Sequence, residues 1–196
     1  MTLIKDGKGR GFSAGVNANN RLQTNSVVFS EEQLSGIDGK AWAISSQTVA
    51  FTSATESAIL YIKNESTETM IIDRARVMLG TATNGTGDWN LRFLRNPTLG
   101  TLIDNALSAG VLNINHGSSQ TPSGLFYRGV QGNTLTDGTG ATFPLKSSGD
   151  GQIVFPFTRI LPTGASFGVV LTPPTGTTAA NAIVVARTFY PSAIDE

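Results

Sequence analysis

From about residue 46 onward the chain is a string of short apolar runs, each closed by a cluster of turn residues. The turn clusters are Asn84-Gly85-Thr86-Gly87, Asp137-Gly138-Thr139-Gly140, Ser148-Gly149-Asp150-Gly151 and Pro173-Pro174-Thr175-Gly176. Glycine supplies positive φ, proline fixes φ, and Asn and Asp hydrogen-bond their own backbone, so such clusters interrupt any regular element. The runs between them are short and rich in β-branched and aromatic residues. Residues 88–95 alternate, with Trp89, Leu91 and Phe93 on one side and Asn90 and Arg92 on the other. Residues 57–63 are nearly continuously apolar, which marks a strand covered on both faces. Residues 70–79 carry Asp73, Arg74 and Arg76 in the middle of an apolar run, the pattern of a bent or bulged strand. A parallel α/β fold needs long helical segments between strands, and none is present. The pattern predicts an all-β protein, an antiparallel jelly-roll-like β-sandwich over residues 46–196, built of eight or nine short strands. Gln131 to Leu145 holds few apolar residues and reads as a surface loop.

Residues 1–45 read differently, as an extended N-terminal arm and linker with one short helical turn. Residues 1–24 carry Lys5, Lys8, Arg10 and Arg21 against Asp6 alone, and Gly7, Gly9, Gly11 and Gly15 break any periodicity. A segment so poor in apolar residues buries too little surface to offset its own ordering entropy. Ser30-Glu31-Glu32 reads as a helix start, with two acids at the positive end of the dipole and Gly36 as the stop.

Composition narrows the function. The 196 residues hold 14 basic and 14 acidic side chains, so the formal net charge is zero, and only 14% of residues are charged. That balance argues against a globally basic nucleic-acid binder. Gly, Thr, Ser and Asn together make up 76 residues, so uncharged polar groups stand in for the charges an ordinary soluble domain carries. Cysteine is absent, which removes disulfides, thiolate zinc sites and thiol nucleophiles. No leader pattern and no apolar run of membrane-spanning length is visible, so neither secretion nor a membrane partner is expected.

The chain is poor in reactive constellations. Gly11-Phe12-Ser13-Ala14-Gly15 matches the nucleophile-elbow pattern by letter, with His116 as the sole available base. An elbow works only at a strand-to-helix turn, and neither element is expected there. Asp137 and Asp150 sit in turn clusters without the alternating acidic spacing of a calcium loop. Gly7-Lys8-Gly9-Arg10-Gly11 lacks the spacing of a phosphate-binding loop. Asn64-Glu65-Ser66 fits the glycosylation pattern, which has no meaning without secretion. Trp42, Trp89, Phe126, Tyr127, Phe189 and Tyr190 could form a sugar platform, but alternation favours core or subunit contact, with one member of each pair, Phe126-Tyr127 and Phe189-Tyr190, outward or at an interface. No catalytic, cofactor-binding or metal-binding residue is assigned, and no enzymatic activity is expected.

The stretches KDGKGRGFSAGVNANNRLQT, FTSATESAILYIKNE, NGTGDWNLRFLRNPTLGTLI, GVQGNTLTDG and ILPTGASFGVVLTPPTG resemble structural proteins of tailed-bacteriophage virions, in particular β-sandwich capsid decoration (cement) proteins. The resemblance spans nearly the whole chain and rests on turn and strand patterns. It implies a homotrimer on the outside of a capsid, with the major capsid protein as partner, made in the bacterial cytoplasm and localised to the virion. A tail, collar or fibre-associated protein with receptor or glycan binding is the alternative. The contact candidates are Lys5, Lys8, Arg10, Phe12, Arg21 and Leu22. Deleting residues 1–24 is expected to leave the melting temperature within a few degrees, because such a segment makes few buried contacts. The same deletion is expected to abolish binding to particles, which co-sedimentation measures directly.

Overall fold

The computed structural model describes residues 30–102, 107–146 and 152–191, together with the backbone of three strands closer to the start of the chain. These are β1 (Leu3–Lys5), β2 (Ser13–Val16) and β3 (Leu22–Gln23), which pair antiparallel in the order β1-β2-β3. They belong to a unit of their own, residues 1–30. The stretch expected as an extended arm therefore carries backbone pairing of its own.

The second unit spans residues 31–196. It opens with α1 (Glu31–Ile37), followed by β4 (Ala41–Ser45), β5 (Val49–Phe51), β6 (Ser57–Asn64), β7 (Met70–Leu79) and β8 (Trp89–Arg95). After a 3-10 turn at Gly100–Leu102 come β9 (Leu107–Ser108), β10 (Gly110–Asn113), β11 (Gly124–Arg128) and β12 (Thr139–Leu145). The chain continues through β13 (Gln152–Leu161), β14 (Ser166–Thr172) and β15 (Ala180–Phe189). One sheet has the order β10-β4-β15-β7-β13, with β5 paired to β15, and the other has the order β12-β8-β14-β6-β11-β9. All pairings are antiparallel, so the expected all-β sandwich is the fold.

The sandwich begins earlier than residue 46. Ala41–Ser45 is an interior strand between β10 and β15, with Trp42 and Ile44 in the core. Two alanines in five residues weaken its strand signature, which is why the sequence reads as linker there. The helix is correctly placed but ends later than Gly36. Gly39 has φ +73°, Lys40 N–H donates to the Ser35 carbonyl at 2.7 Å and Gly39 N–H to the Gly36 carbonyl at 3.1 Å. That pair of bonds is the Schellman arrangement, so the left-handed glycine that closes the helix is Gly39.

The alternation read at 88–95 holds: Trp89, Leu91 and Phe93 lie in the core. So do Leu60, Ile62, Phe167 and Val169, while Ile153 and Phe155 pack against the core partly buried. In the apolar run 182–186, Val185 faces outward half-buried, while its neighbours Val184 and Ala186 point in. A run of consecutive apolar residues does not reveal its own parity. The bulge expected in residues 70–79 is present. On β15 the register steps from Arg187↔Arg74 to Thr188↔Ile72, and on β13 from Pro156↔Arg74 to Arg159↔Ile72, so Asp73 is supernumerary against β15. Residues 131–145 are not all loop. Thr139–Leu145 is a strand that pairs, among the described residues, with β8 alone, and its exposure explains its few apolar residues.

Phe93 centres the aromatic part of the core. Its ring lies 5.0 Å from Phe157, 5.2 Å from Phe155, 5.7 Å from Phe167 and 5.9 Å from Phe143. Phe93→Ala is expected to cost about 3–5 kcal/mol in chemical denaturation, through lost contacts and the residual cavity.

Asn64 is the polar counterpart, fully buried at the end of β6. Its amide donates to the Glu68 and Leu161 carbonyls, each at 2.8 Å, and its Oδ1 accepts from Ser66 N–H at 3.0 Å. The Tyr190 hydroxyl lies 3.2 Å from Asn64 Oδ1 and 3.0 Å from the Ser123 carbonyl. Burial pushes the Tyr190 phenol above its ordinary value, opposed by hydrogen bonds to Ser66 and Ser123 and aided by the charge of Glu68. Raised folded-state affinity for the proton means the hydroxyl's stabilisation is complete below the ordinary tyrosine value of about 10 and is lost as pH rises through the raised one. Wild type is therefore expected to exceed Tyr190→Phe in stability by about 1 kcal/mol at pH 8. That margin should shrink in thermal melts above about pH 10.

Candidate functional site

Each lateral end of the sandwich is a place where two edge strands meet. At one end β12 terminates one sheet and β13 the other; at the opposite end they are β9 and β10. Large exposed apolar side chains gather at these ends: Phe143, Val154 and Ile160 at the first, Leu107, Val111 and Leu112 at the second. The most exposed of these six are Ile160 at 66% and Leu112 at 59%; Ile37 at the end of α1 and Val130 after β11 are exposed outside the two groups.

The β12/β13 end opens into a cleft of about 610 Å³, lined by Thr139–Ala141 of β12, Thr158–Leu161 of β13, and the ends of β8 and β14. Arg95 and Arg159 both line it. Arg95 continues the inward row of Trp89, Leu91 and Phe93, and it falls at the cleft because β8 ends there. Arg159 lies over the Phe157 ring, 4.9 Å from its centre, in a cation–π contact. Neither guanidinium has a carboxylate partner among the described residues, whereas Arg74, Arg92 and Arg187 each have one. The floor is aromatic, formed by Phe93 and Phe167. The β12 side is low because Thr139, Gly140 and Ala141 are small; a Cβ on Gly140 would come within 2.3 Å of the Phe93 carbonyl oxygen. At the opposite end a depression of about 390 Å³ is lined by Trp42, Val111, Phe126 and the segment Ser118–Pro122. It is tied down by the Trp42 indole N–H donating to the Gln120 carbonyl at 3.2 Å.

A charge cluster holds α1 on the sheet. Arg74 and Arg187 are cross-strand neighbours, a repulsive placement. Glu32 lies between them, accepting from Arg74 at 2.7 Å and from Arg187 at 3.0 Å. Arg74 also donates to Asp73 at 2.6 Å, and that bond, with the charges of Glu32 and Asp73, holds its guanidinium above the ordinary value against the effect of burial. Glu32 thus does more than favour the helix start. The sequence could not show this, because the arginines lie far along the chain from it.

The contact candidates from the sequence fall as follows. Lys5 lies in β1 and Leu22 in β3; Lys8, Arg10, Phe12 and Arg21 lie outside the described residues. Ser13 opens strand β2, so it does not stand at a strand-to-helix turn, and the elbow geometry is not formed. His116 is exposed in the turn that Ser118 N–H closes onto the Asn115 carbonyl. Asp137 and Gly138, at φ +57° and +79°, form the left-handed pair of a tight turn, and the Asp137 carboxylate accepts from Thr98 at 3.0 Å. Turn chemistry accounts for that aspartate; Asp150 lies outside the described residues. Among the described residues, no three His, Asp or Glu side chains gather as metal ligands. No helix there is long and apolar enough to cross a membrane.

The aromatic candidates divide. Trp42, Trp89, Phe189 and Tyr190 are all buried, while Phe126 and Tyr127 are half-buried. Both members of the Phe189-Tyr190 pair are buried, against the expectation that one lies outward or at an interface; α1 packs on β15 and covers part of its outer face. Tyr127 stacks on Tyr61 with ring centres 6.4 Å apart. What sequence reasoning missed are Arg95 and Arg159. Their only sequence signal is a charged residue in the inward parity of β8, and an aromatic-polar-arginine run in β13.

No family model matches the chain, and no curated protein matches it. Among solved structures, it is similar to that of the infectious bursal disease virus Gx strain, at 7% identity over 79% of this chain and 38% of the other, with TM-score 0.35. A second is the VP2 subviral particle of infectious bursal disease virus, at 10% identity over 78% and 42%, with TM-score 0.19. A third is SACOL2612, a CocE/NonD family hydrolase from Staphylococcus aureus, at 11% identity over 91% and 36%, with TM-score 0.17. The chain spans less than half the length of each. At TM-scores this low, none of these likenesses assigns a topology or a function.

Proposed function

We propose that this protein is a non-enzymatic virion structural protein, a decoration subunit bound to the outer surface of a tailed-bacteriophage capsid. The observation that carries the proposal is the concentration of large exposed apolar side chains, six of the eight among the described residues, in the strands at the two lateral ends of the sandwich. Monomeric soluble proteins seldom leave such patches open, and association covers them. Two separate patches suit a subunit with two kinds of neighbour, its own copies and a shell.

In this proposal the β9/β10 end, with Leu107, Val111 and Leu112, meets its own copies around a three-fold axis. The β12/β13 end and residues 1–24, including Lys5, Lys8, Arg10, Phe12, Arg21 and Leu22, face the major capsid protein. The glycan-binding alternative draws less support, because four of its six aromatic candidates are buried.

Light scattering is expected to give about 62 kDa, three times the 20.6 kDa chain mass. Leu112→Asp is expected to reduce that to the monomer mass, and Phe143→Asp to leave it unchanged. Immunogold electron microscopy with an antibody to this chain is expected to label the heads of native particles. A monomer in the wild type would overturn the trimer, and label confined to tails or fibres would overturn the decoration role.

A further inference from the structure

We propose that the cleft between β12 and β13 is a docking groove for an extended, acidic peptide segment of the neighbouring shell subunit, added as a strand to the β12 edge. The identity of that partner rests on the decoration reading; the chemistry of the groove does not.

Three observations converge. The first is backbone availability. Among the described residues strand β12 has a partner on one side only, and six of its seven residues, Thr139–Pro144, are exposed. An exposed edge presents unpaired N–H and C=O groups, which is the template for strand addition. Short side chains at Thr139, Gly140 and Ala141 leave room for another backbone to approach, and the aromatic floor of Phe93 and Phe167 lies beneath.

The second is charge. Arg95 and Arg159 line the cleft from opposite sheets, and neither is neutralised by a carboxylate among the described residues. Two guanidiniums lining one groove without counter-charges favour an anionic occupant, and guanidinium binds carboxylate in a two-pronged geometry. Stacking of Arg159 on Phe157 fixes one of these forks in advance, so less side-chain entropy is lost on binding.

The third is alternation. Side chains alternate along a strand. Arg159 is paired with the buried Ile72 and Arg95 with the buried Phe167, so both arginines lie on the inward faces of their sheets. A segment with an acidic residue at every second position therefore sets its carboxylates on the one face that meets the arginines.

The test is fluorescence anisotropy with fluorescein-labelled (Val-Glu)4 as the acidic probe, (Val-Lys)4 as its charge-reversed control and a dT12 oligonucleotide as a competing anion. The expected result is saturable binding of (Val-Glu)4, at least tenfold tighter than (Val-Lys)4 and tighter than dT12. Arg95→Glu/Arg159→Glu is expected to reverse the order of the two peptides. Both side chains are exposed, so its melting temperature should stay near wild type. The proposal is overturned if no peptide saturates, if the two peptides bind alike, if the double substitution changes nothing, or if dT12 binds more tightly. None of these outcomes alters the mass in light scattering or the head labelling, so the groove can fail while the decoration role stands.

Discussion

Strand β6 is buried along both faces from Ser57 to Ile62, and much of the architecture follows from that burial. An antiparallel sheet ordinarily keeps one face wet. Here the inner face of β6 packs into the inter-sheet core through Ile59, Leu60 and Ile62. Two successive residues can both point inward because the register against β14 steps from Leu60↔Val169 to Ala58↔Val170, leaving Ile59 as the extra residue of a bulge. The other face needs a cover, and residues 131–138 supply it. Leu135 packs on Ala58, Leu94 and Val170. Gly168 makes room for it, since a Cβ there would come within 2.5 Å of the Leu135 side chain.

Threonine is what holds that cover in place. The Thr98 and Thr136 hydroxyls are 2.5 Å apart, those of Thr101 and Thr134 are 3.0 Å apart, and the backbones of Thr98 and Thr136 exchange bonds at 2.7 and 3.0 Å. Each bond contributes modestly, about 1 kcal/mol, but the hydroxyls need no counter-charge and lose little rotamer entropy. The abundance of threonine seen in the composition therefore has a structural use. It fastens a loop across a sheet face where lysine and glutamate would demand solvent.

Much of this was legible in the sequence where side-chain period and turn chemistry act alone. The alternation of 88–95, the double burial of 57–63, the bulge near Asp73 and the left-handed turn at Asp137-Gly138 are all local events. What was not legible depends on partners remote in sequence. Ala41–Ser45 reads as linker because small residues carry little strand preference, and it becomes a strand only because β10 and β15 flank it. Val184 and Val185 cannot be told apart until β15 is set against β7. Glu32 acquires its role from two arginines brought together by strand pairing. The cleft was the least visible feature, because it exists only where the edges of two different sheets meet, and no run of residues encodes that meeting. A core arises from many redundant apolar positions, whereas this site arises from two arginines and an unpaired edge.

The same scarcity of charge bears on association. Burying an exposed lysine or glutamate at an interface costs desolvation and side-chain entropy, and interface cores are accordingly depleted in both. A surface of threonine, asparagine, serine and small apolar residues carries less of that cost, so a modest contact area yields a larger net affinity. Edge strands with such surfaces are also open to indiscriminate pairing, the hazard that natural sheets blunt with charges, prolines and short edges. Strand β12 carries one such guard, Pro144, which cannot donate a backbone hydrogen bond to an added strand. The unpaired arginines of the neighbouring cleft add selectivity: an incoming strand without a carboxylate leaves two cations unpaired in a groove it has partly dehydrated. Specificity then comes from the penalty on the wrong partner as much as from attraction to the right one.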